Sequence, residues 1–448
     1  GLALLFLLLP SYIIRFHIGN VPSTLLEAMV GIILVIWLIQ LNIKPKKKVL
    51  PQNSIYIPKH ELKKKFKKHT GILSLGIAFL LVASLSVWYS TNTVKALGEW
   101  KAFYVEPFLI FLVLLTTITT KKQIKHILMA LLLGGLATSL LAIYQHFTGW
   151  MVPEAFWANR NTFRVTAWYG FPNGIGLFLA PLIPLALYII QDCWKHTRCE
   201  TEHREIQDSI RQKTSSKFKN YILPGLMLLF LFSSVLAIFY AKSTGGLVGL
   251  AGGIGFLLLS NKKIFKWTVG LALAALLILM ILPSSNPMKQ ELFLQDRSGQ
   301  IRISIWEETG EFLKDNPILG AGLASYSEKI KPYHQTVNGE GIEIFHHPHN
   351  IFLTMWVNLG ILGLAAFVGI LVWFFYKVSS ELTGKNTQIK DTIHIYTGAA
   401  MFALLITGLV DSPYIKNDLA ILFWLLPGLL AASLNLKEYE TEDVLGDG

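Results

Sequence analysis

Twelve apolar runs follow one another along the chain, at 1–14, 23–41, 71–90, 102–119, 126–145, 173–191, 221–241, 244–260, 267–283, 350–376, 393–410 and 419–434. Most match the roughly 17–25 residues that a helix needs to cross a bilayer. With no water in the hydrocarbon region, segments of this kind must satisfy their own backbone groups, and a helix does so within one segment. The pattern predicts an all-α integral membrane protein of about 12 transmembrane helices. The first run is short and does not start with Met, and we read it as a span truncated at its N-terminus rather than as a cleaved signal peptide.

Between the runs the polar stretches are short, except for residues 284–349. The expected organisation is therefore a first block of nine spans over 1–283, one large extracytoplasmic loop over 284–349, three spans over 350–434 and a cytoplasmic tail over 435–448. Within the loop, "SGQIRISIWEETGEFLKDNP" sets Ile301, Ile305, Phe312 and Leu313 at helical spacing among charged residues. This predicts an amphipathic helix at the outer membrane surface, with Arg297 and Arg302 before it, ended by Asn316 and Pro317 and followed by a glycine loop, "GAGLASY". "NGEG" reads as a turn, and Asn350 is a plausible N-cap for the span that follows.

Composition agrees with this picture, since 52% of the 448 residues are hydrophobic and 15% are charged, against about 25% charged in soluble domains. The distribution of charge then supplies an orientation. If the loops alternate sides, one side carries 27 of the 40 Lys and Arg, ten of them in 42–70. The other side carries 13, six of which lie in the long loop that does not count toward the bias. The lysine-rich side is thus expected in the cytoplasm and "HHPHN" outside. The runs "KPKKK" and "KHELKKKFKKH" are read as orientation signals with some attraction to anionic lipid, not as a nucleic-acid site. Cys193 and Cys199 fall on the cytoplasmic side, where a disulfide is not expected. With His196 and His203 they share one helical stripe, which cannot enclose a tetrahedral ion, and the segment is assigned no function.

The outward-facing polar residues are Arg164, Lys242, Ser243, Arg297, Arg302, His346, His347 and His349. Guanidinium groups clamp phosphate oxygens, and a histidine titrating near neutrality can take a proton from an attacking hydroxyl. A sugar on a lipid diphosphate suits such a set, with its diphosphate on the cations and its tail between helices. The histidines could also be metal ligands or a wet loop, but only Glu340 and Glu343 lie near them in sequence, and no metal is expected. Gly360 and Gly363 read as helix-packing positions. Trp150, Trp157, Trp168 and Tyr169 are either interfacial anchors or sugar-stacking residues. The spans hold almost no charge, and Glu27 falls near an outer end. Together these speak for surface chemistry over a transporter, the rival from another class.

Three stretches in this order, "FRVTAWYGFPNGIGLFLAPLIPL", "RISIWEETGEFLKDNPILGAGLASY" and "HHPHNIFLTMWVNLGILGL", resemble the signature of the bacterial O-antigen ligase and polymerase superfamily. The resemblance implies a multi-pass protein of the cytoplasmic (inner) membrane with its site on the extracytoplasmic face. Such an enzyme moves a glycan from undecaprenyl diphosphate to an acceptor hydroxyl, on lipid A core or on another repeat unit, with no metal or other cofactor. By this likeness Arg164 and Arg302 bind the diphosphate and His349 is the general base. Where many members have Ser-Arg-Gly, this chain has Ser243-Thr244-Gly245, so Lys242 is expected to supply the cation there. His347 is expected to position the acceptor or tune the base. Ligase and polymerase share these expectations and differ in the acceptor.

Overall fold

The protein is described by a computed structural model covering residues 1–19, 21–42, 58–159, 162–203, 221–337, 340–383 and 392–446. "KPKKK", part of "NGEG", and the side chains of His196, Cys199 and His203 lie outside what is described.

Among the described residues the chain is an all-α membrane protein. Eight helices are long and apolar enough to cross a membrane, and three shorter apolar helices, Thr244–Leu259, Phe265–Ile281 and Ile393–Gly408, stand beside them. These helices coincide with eleven of the twelve apolar runs. Their exposed faces carry the signature of a lipid solvent. Ile32, Val35, Ile36 and Ile39 are all about half exposed or more, and Phe265–Ile281 buries no residue at all. Apolar surface on this scale is not left facing water.

The run at 1–14 departs from expectation. Instead of one span it forms a short helix, Leu2–Leu7, then a 3-10 turn, Leu9–Ile13, with Pro10 in its first turn. A proline lacks the N–H needed to continue the α-helix across Leu8. A small antiparallel hairpin follows, Arg15–Ile18 paired with Val21–Thr24, and it delivers the chain to the helix Leu25–Asn42. The stretch 91–101, which lies between two apolar runs, is also helical. Thr93–Glu99 runs into a π turn, Trp100–Val105, and on into Glu106–Thr117. Two carboxyl groups lie inside the bundle, contrary to expectation. Glu106 and, from the helix Asn417–Gly446, Asp418 are both buried, and among the described residues Glu106 Oε2 and Asp418 Oδ1 have no hydrogen-bond partner. Nearer the end that carries the histidines, Lys101 pairs with Glu27 at 3.0 Å and Ala324 N donates to Glu99 at 2.9 Å.

Contacts sort the helix ends into two sets. At one end Lys65 Nζ donates to Thr116 O at 2.9 Å, Lys68 Nζ to Leu434 O at 2.8 Å, and Thr392 to Gln191 at 2.7 Å. At the other, Thr91 N donates to Ser325 Oγ, Asn417 Nδ2 to Glu27 and Asn350 Nδ2 to Leu409 O. The lysine-rich segment and the histidine loop therefore occupy opposite ends of the bundle.

The long loop has its own small core of Phe312, Leu313, Ala321, Tyr326, Ile330 and Val357. Its main helix, Arg297–Asp315, is capped by Asp296, which accepts from Ser298 N and Gly299 N. Arg297 and Arg302 thus lie on this helix and not before it. Ile305, Phe312 and Leu313 are buried as the spacing predicts. Glu308 is buried as well, 2% exposed, and accepts from Gln335 N at 2.9 Å while meeting His334 Nδ1 at 3.2 Å. The amphipathic face therefore packs on the loop's own structure and on the helix Ile351–Thr383, which corrects the expectation of a helix lying flat on lipid.

Asn350 caps that helix as expected, its Oδ1 accepting from Phe352 N at 3.0 Å and Leu353 N at 3.1 Å. Gly360 is more than a packing residue. Its φ of 70° breaks the helix, and a Cβ there would collide with the Ile318 carbonyl. That carbonyl accepts from Ile361 N at 3.2 Å, so the loop supplies the acceptor that the broken helix has lost.

Candidate functional site

The helix Thr244–Leu259 packs so closely on Asn173–His203 that a Cβ on Gly176 would meet Ser243 Oγ and the Gly246 backbone. Above this contact the helices diverge and leave an open cavity of ≈ 470 Å³. Arg164, Lys242 and Arg302 all line it, together with Asn173, Glu291 and Asp411. Three cations that the sequence separates by up to 138 positions thus face one space.

Each guanidinium is anchored by one edge. Arg164 Nε donates to Ala241 O at 2.7 Å, and its Nη2 to Asn173 Oδ1 at 2.8 Å and Lys242 O at 3.0 Å. Its face lies 5.0 Å from the Trp157 ring centre. Arg302 Nε donates to Val410 O at 2.8 Å, and its Nη1 to Ser298 O and Oγ. Among the described residues, Nη1 of Arg164 and Nη2 of Arg302 make no hydrogen bond, which leaves N–H donors for an anionic ligand. Burial, with Arg302 close by, lowers the Arg164 guanidinium to about 10, against the opposing pull of Glu291 and Asp411. Arg164 therefore stays charged at neutral pH. Glu291 accepts from Thr244 at 2.6 Å and closes one side of the cavity, offsetting part of its positive charge.

Asp411 joins this cavity to the histidines. Its role is not legible in the sequence, because it follows a different span, 62 residues beyond His349. Its Oδ1 accepts from Ser412 N at 2.8 Å and meets His349 Nδ1 at 3.4 Å, while its Oδ2 accepts from Asn173 Nδ2 at 3.1 Å. Burial alone would raise this carboxyl, but the His349 hydrogen bond and the charges of His349, His347 and Arg302 hold it below the ordinary carboxylate value. An ionised carboxylate only accepts, so in this contact His349 Nδ1 is the donor and Nε2 is left on the far side of the ring. The sign that could have pointed to Asp411 is its place in "VDSPY", directly after a span and on the histidine side of the membrane.

The loop itself holds the histidines. Trp306 Nε1 donates to Pro348 O at 2.9 Å, and the Phe345 ring packs edge-on to His349 at 4.8 Å. His349 N donates to His347 Nδ1 at 3.2 Å, and the two rings lie 4.5 Å apart. His346 is exposed and has no part in this arrangement. Backbone strain concentrates here, for three of the six non-glycine residues with positive φ are Lys242, Leu294 and His349, and strain of this kind gathers at working sites. His347, His349 and Asp411 each bring one ligand atom within 4.8 Å of the others. As placed, however, these atoms bond within the group, Asp411 to His349 and His347 to the His349 backbone.

Of the aromatics, Trp168 Nε1 bonds Thr138 and the buried Tyr169 hydroxyl bonds Asp418, so both serve the bundle. Trp150 packs on Tyr144, and Trp157 lies against Arg164.

Burial and the neighbouring His349 push the His347 imidazole down from 6.5 to about 3. A histidine lowered in the folded state resists protonation that the unfolded chain accepts, so it destabilises the fold as pH falls from 6.5 toward 3. His347→Gln keeps an acceptor without a titrating group. Its melting temperature is expected to fall less than that of the wild type between about pH 7 and about pH 5, as followed by thermal unfolding in detergent; equal losses would refute the assignment.

Fold and site together define a helical membrane protein with a cavity lined by three cations beside a carboxylate–histidine pair. Residues 228–368 match the family model described as O-Antigen ligase. A Rickettsia conorii protein named "Putative polysaccharide ligase RC0486" is 32% identical over 146 residues, covering 31% of this chain and 35% of that protein. A Rickettsia typhi protein, "Putative polysaccharide ligase RT0347", is 33% identical over 152 residues, covering 32% and 36%. The chain thus spans about a third of the length of the curated relatives it matches. Residues 228–368 are thus similar to O-antigen ligases. Lys242, Arg302, His347 and His349 fall inside the matched stretch, whereas Arg164, Asn173 and Asp411 fall outside it.

Proposed function

We propose that this protein is a glycosyltransferase of the cytoplasmic membrane that moves a glycan from undecaprenyl diphosphate to an acceptor hydroxyl on the extracytoplasmic face. Its eleven apolar helices cross the membrane, and the segment before them does not. The observation that carries the reading is the His349–Asp411 pair at the edge of a cavity where Arg164, Arg302 and Lys242 converge.

In this mechanism Arg164 Nη1 and Arg302 Nη2 take the diphosphate oxygens and Lys242 adds a point charge. The acceptor hydroxyl donates to His349 Nε2, which removes its proton as the oxygen attacks the anomeric carbon. The carbon–oxygen bond to the diphosphate breaks, and its electron pair leaves with the diphosphate, where the guanidiniums offset the charge. Asp411 stabilises the imidazolium that forms and fixes the ring. A single displacement inverts the anomeric centre. No step requires a metal. The matched relatives favour lipid A core or a similar surface glycan as acceptor over a growing repeat chain, the polymerase alternative.

The test is transfer by the purified protein. With undecaprenyl-diphosphate-linked glycan and core-bearing lipid A, a product of higher mass and free undecaprenyl diphosphate are expected, with the rate unchanged by EDTA. Elongation of the carrier-linked glycan alone would make the protein a polymerase, and movement of solute across a vesicle without transfer would overturn the enzymatic reading.

A further inference from the structure

At the end of the bundle opposite the cavity, the helix Lys59–Lys68 meets the spanning helix Thr70–Trp88 at an angle, and between them lies a shallow groove of ≈ 710 Å³. Its walls are of two kinds. Lys59, Lys63 and Lys67 recur every four residues and form one stripe along the short helix. Phe66, Leu73 and Ile77 form an apolar floor that continues down the spanning helix, and Phe66 and Ile77 are 37% and 50% exposed.

The lysines of this helix divide by task. Lys65, 3% exposed, donates to Thr116 O and Ile118 O, and Lys68 donates to Leu434 O. The adjacent His69 Nε2 lies 2.9 Å from Asn435 Oδ1. These contacts pin one face of the helix to the bundle. Lys59, Lys63 and Lys67 are exposed on the groove side, and their ammonium groups make no hydrogen bond or ion pair among the described residues. An orientation signal needs only positive charge on one side of the membrane. It does not require three unpaired ammonium groups aligned beside an apolar channel running toward the bilayer.

We propose that this groove binds an anionic phospholipid. The phosphodiester lies against the three ammonium groups, which supply point-charge donors for its oxygens, and one acyl chain follows Leu73 and Ile77 along the spanning helix. Charge complementarity selects the headgroup, and the apolar floor selects a lipid over a free anion. By the charge bias this is a lipid of the cytoplasmic leaflet. The site is independent of the transfer reaction at the other end.

Native mass spectrometry of the full chain, released from detergent with phosphatidylglycerol or phosphatidylcholine added, tests the proposal. The wild type is expected to retain phosphatidylglycerol in preference to phosphatidylcholine. The variant carrying Lys59→Gln, Lys63→Gln and Lys67→Gln is expected to retain it at least about tenfold less, since each lysine near an anionic surface contributes appreciably. A control carrying Lys262→Gln, Lys263→Gln and Lys266→Gln loses the same charge elsewhere and is expected to bind as the wild type does. Arginine at the three groove positions should preserve binding. Equal retention of the two lipids, equal losses in the two triple variants, or full retention in the groove variant would each overturn the proposal.

Discussion

Replacing His349 by alanine is expected to lower the turnover of glycan transfer by about 10²–10⁴-fold, the usual contribution of a positioned general base. The donor KM should move little, because the diphosphate is held by Arg164 and Arg302 and not by the imidazole. Asp411→Asn tests the same unit from the other side. An amide cannot stabilise the imidazolium, and it can offer its own N–H to His349 Nδ1, turning the ring to a tautomer whose Nε2 bears the proton. A loss approaching that of His349→Ala is expected, together with a changed pH profile, since Asp411 acts through His349. Initial rates on purified lipid-linked glycan from about pH 5 to about pH 9, spanning the range in which a histidine base titrates, provide the check. Full transfer by His349→Ala would remove the base from the mechanism, and an unaltered pH profile in Asp411→Asn would reduce the pair to a structural contact.

The second large effect concerns the guanidiniums. Arg164→Lys and Arg302→Lys each retain positive charge, yet each should lower kcat/KM for the lipid diphosphate by about 10²–10³-fold, the range seen when one preorganised donor to a developing anion is removed. Arg164 uses three N–H groups on Ala241 O, Lys242 O and Asn173 while presenting a further nitrogen to the cavity. One ammonium cannot do both. Arg302 has the same division, with its Nε edge on Val410 O. Competition by free undecaprenyl diphosphate should weaken in parallel with kcat/KM. Should both variants bind and react as the wild type does, the cavity would not be the diphosphate site.

Much of the fold was legible because spanning helices announce themselves by local composition. Eleven apolar runs became helices, and Asn350 could be read as a cap because its partners, Phe352 and Leu353, are near neighbours in sequence. The misreadings involve either local backbone geometry or distant partners. Pro10 divides the first run, and the π turn at Trp100–Val105 lets helix continue through a polar stretch expected to be loop. Gly360 looks like any glycine in a span until Ile318, more than forty residues earlier, is placed against it. The candidate site follows the same rule. Residue type and side of the membrane were enough to select the cations and the histidines. Asp411 and Asn173 were not selected, since a carboxylate after one span and an amide at the start of another acquire meaning only when Arg164 and His349 stand beside them.

The break at Gly360 also determines which parts of the molecule can move together. Ile361 N bonds Ile318 O, Ala321 N bonds Val357 O at 2.6 Å, and Trp356 Nε1 bonds Pro317 O at 2.8 Å. The outer loop is thereby riveted to the first three turns of the helix, and those turns are divided at Gly360 from the remainder. Arg302 and His349 ride on this one plate, whereas Arg164 stands on the bundle beneath. Were the plate to tilt and admit a lipid tail, the spacing between Arg302 and His349 would be preserved, while Arg302 would part from Val410 O and His349 from Asp411 as the gap to Arg164 opened.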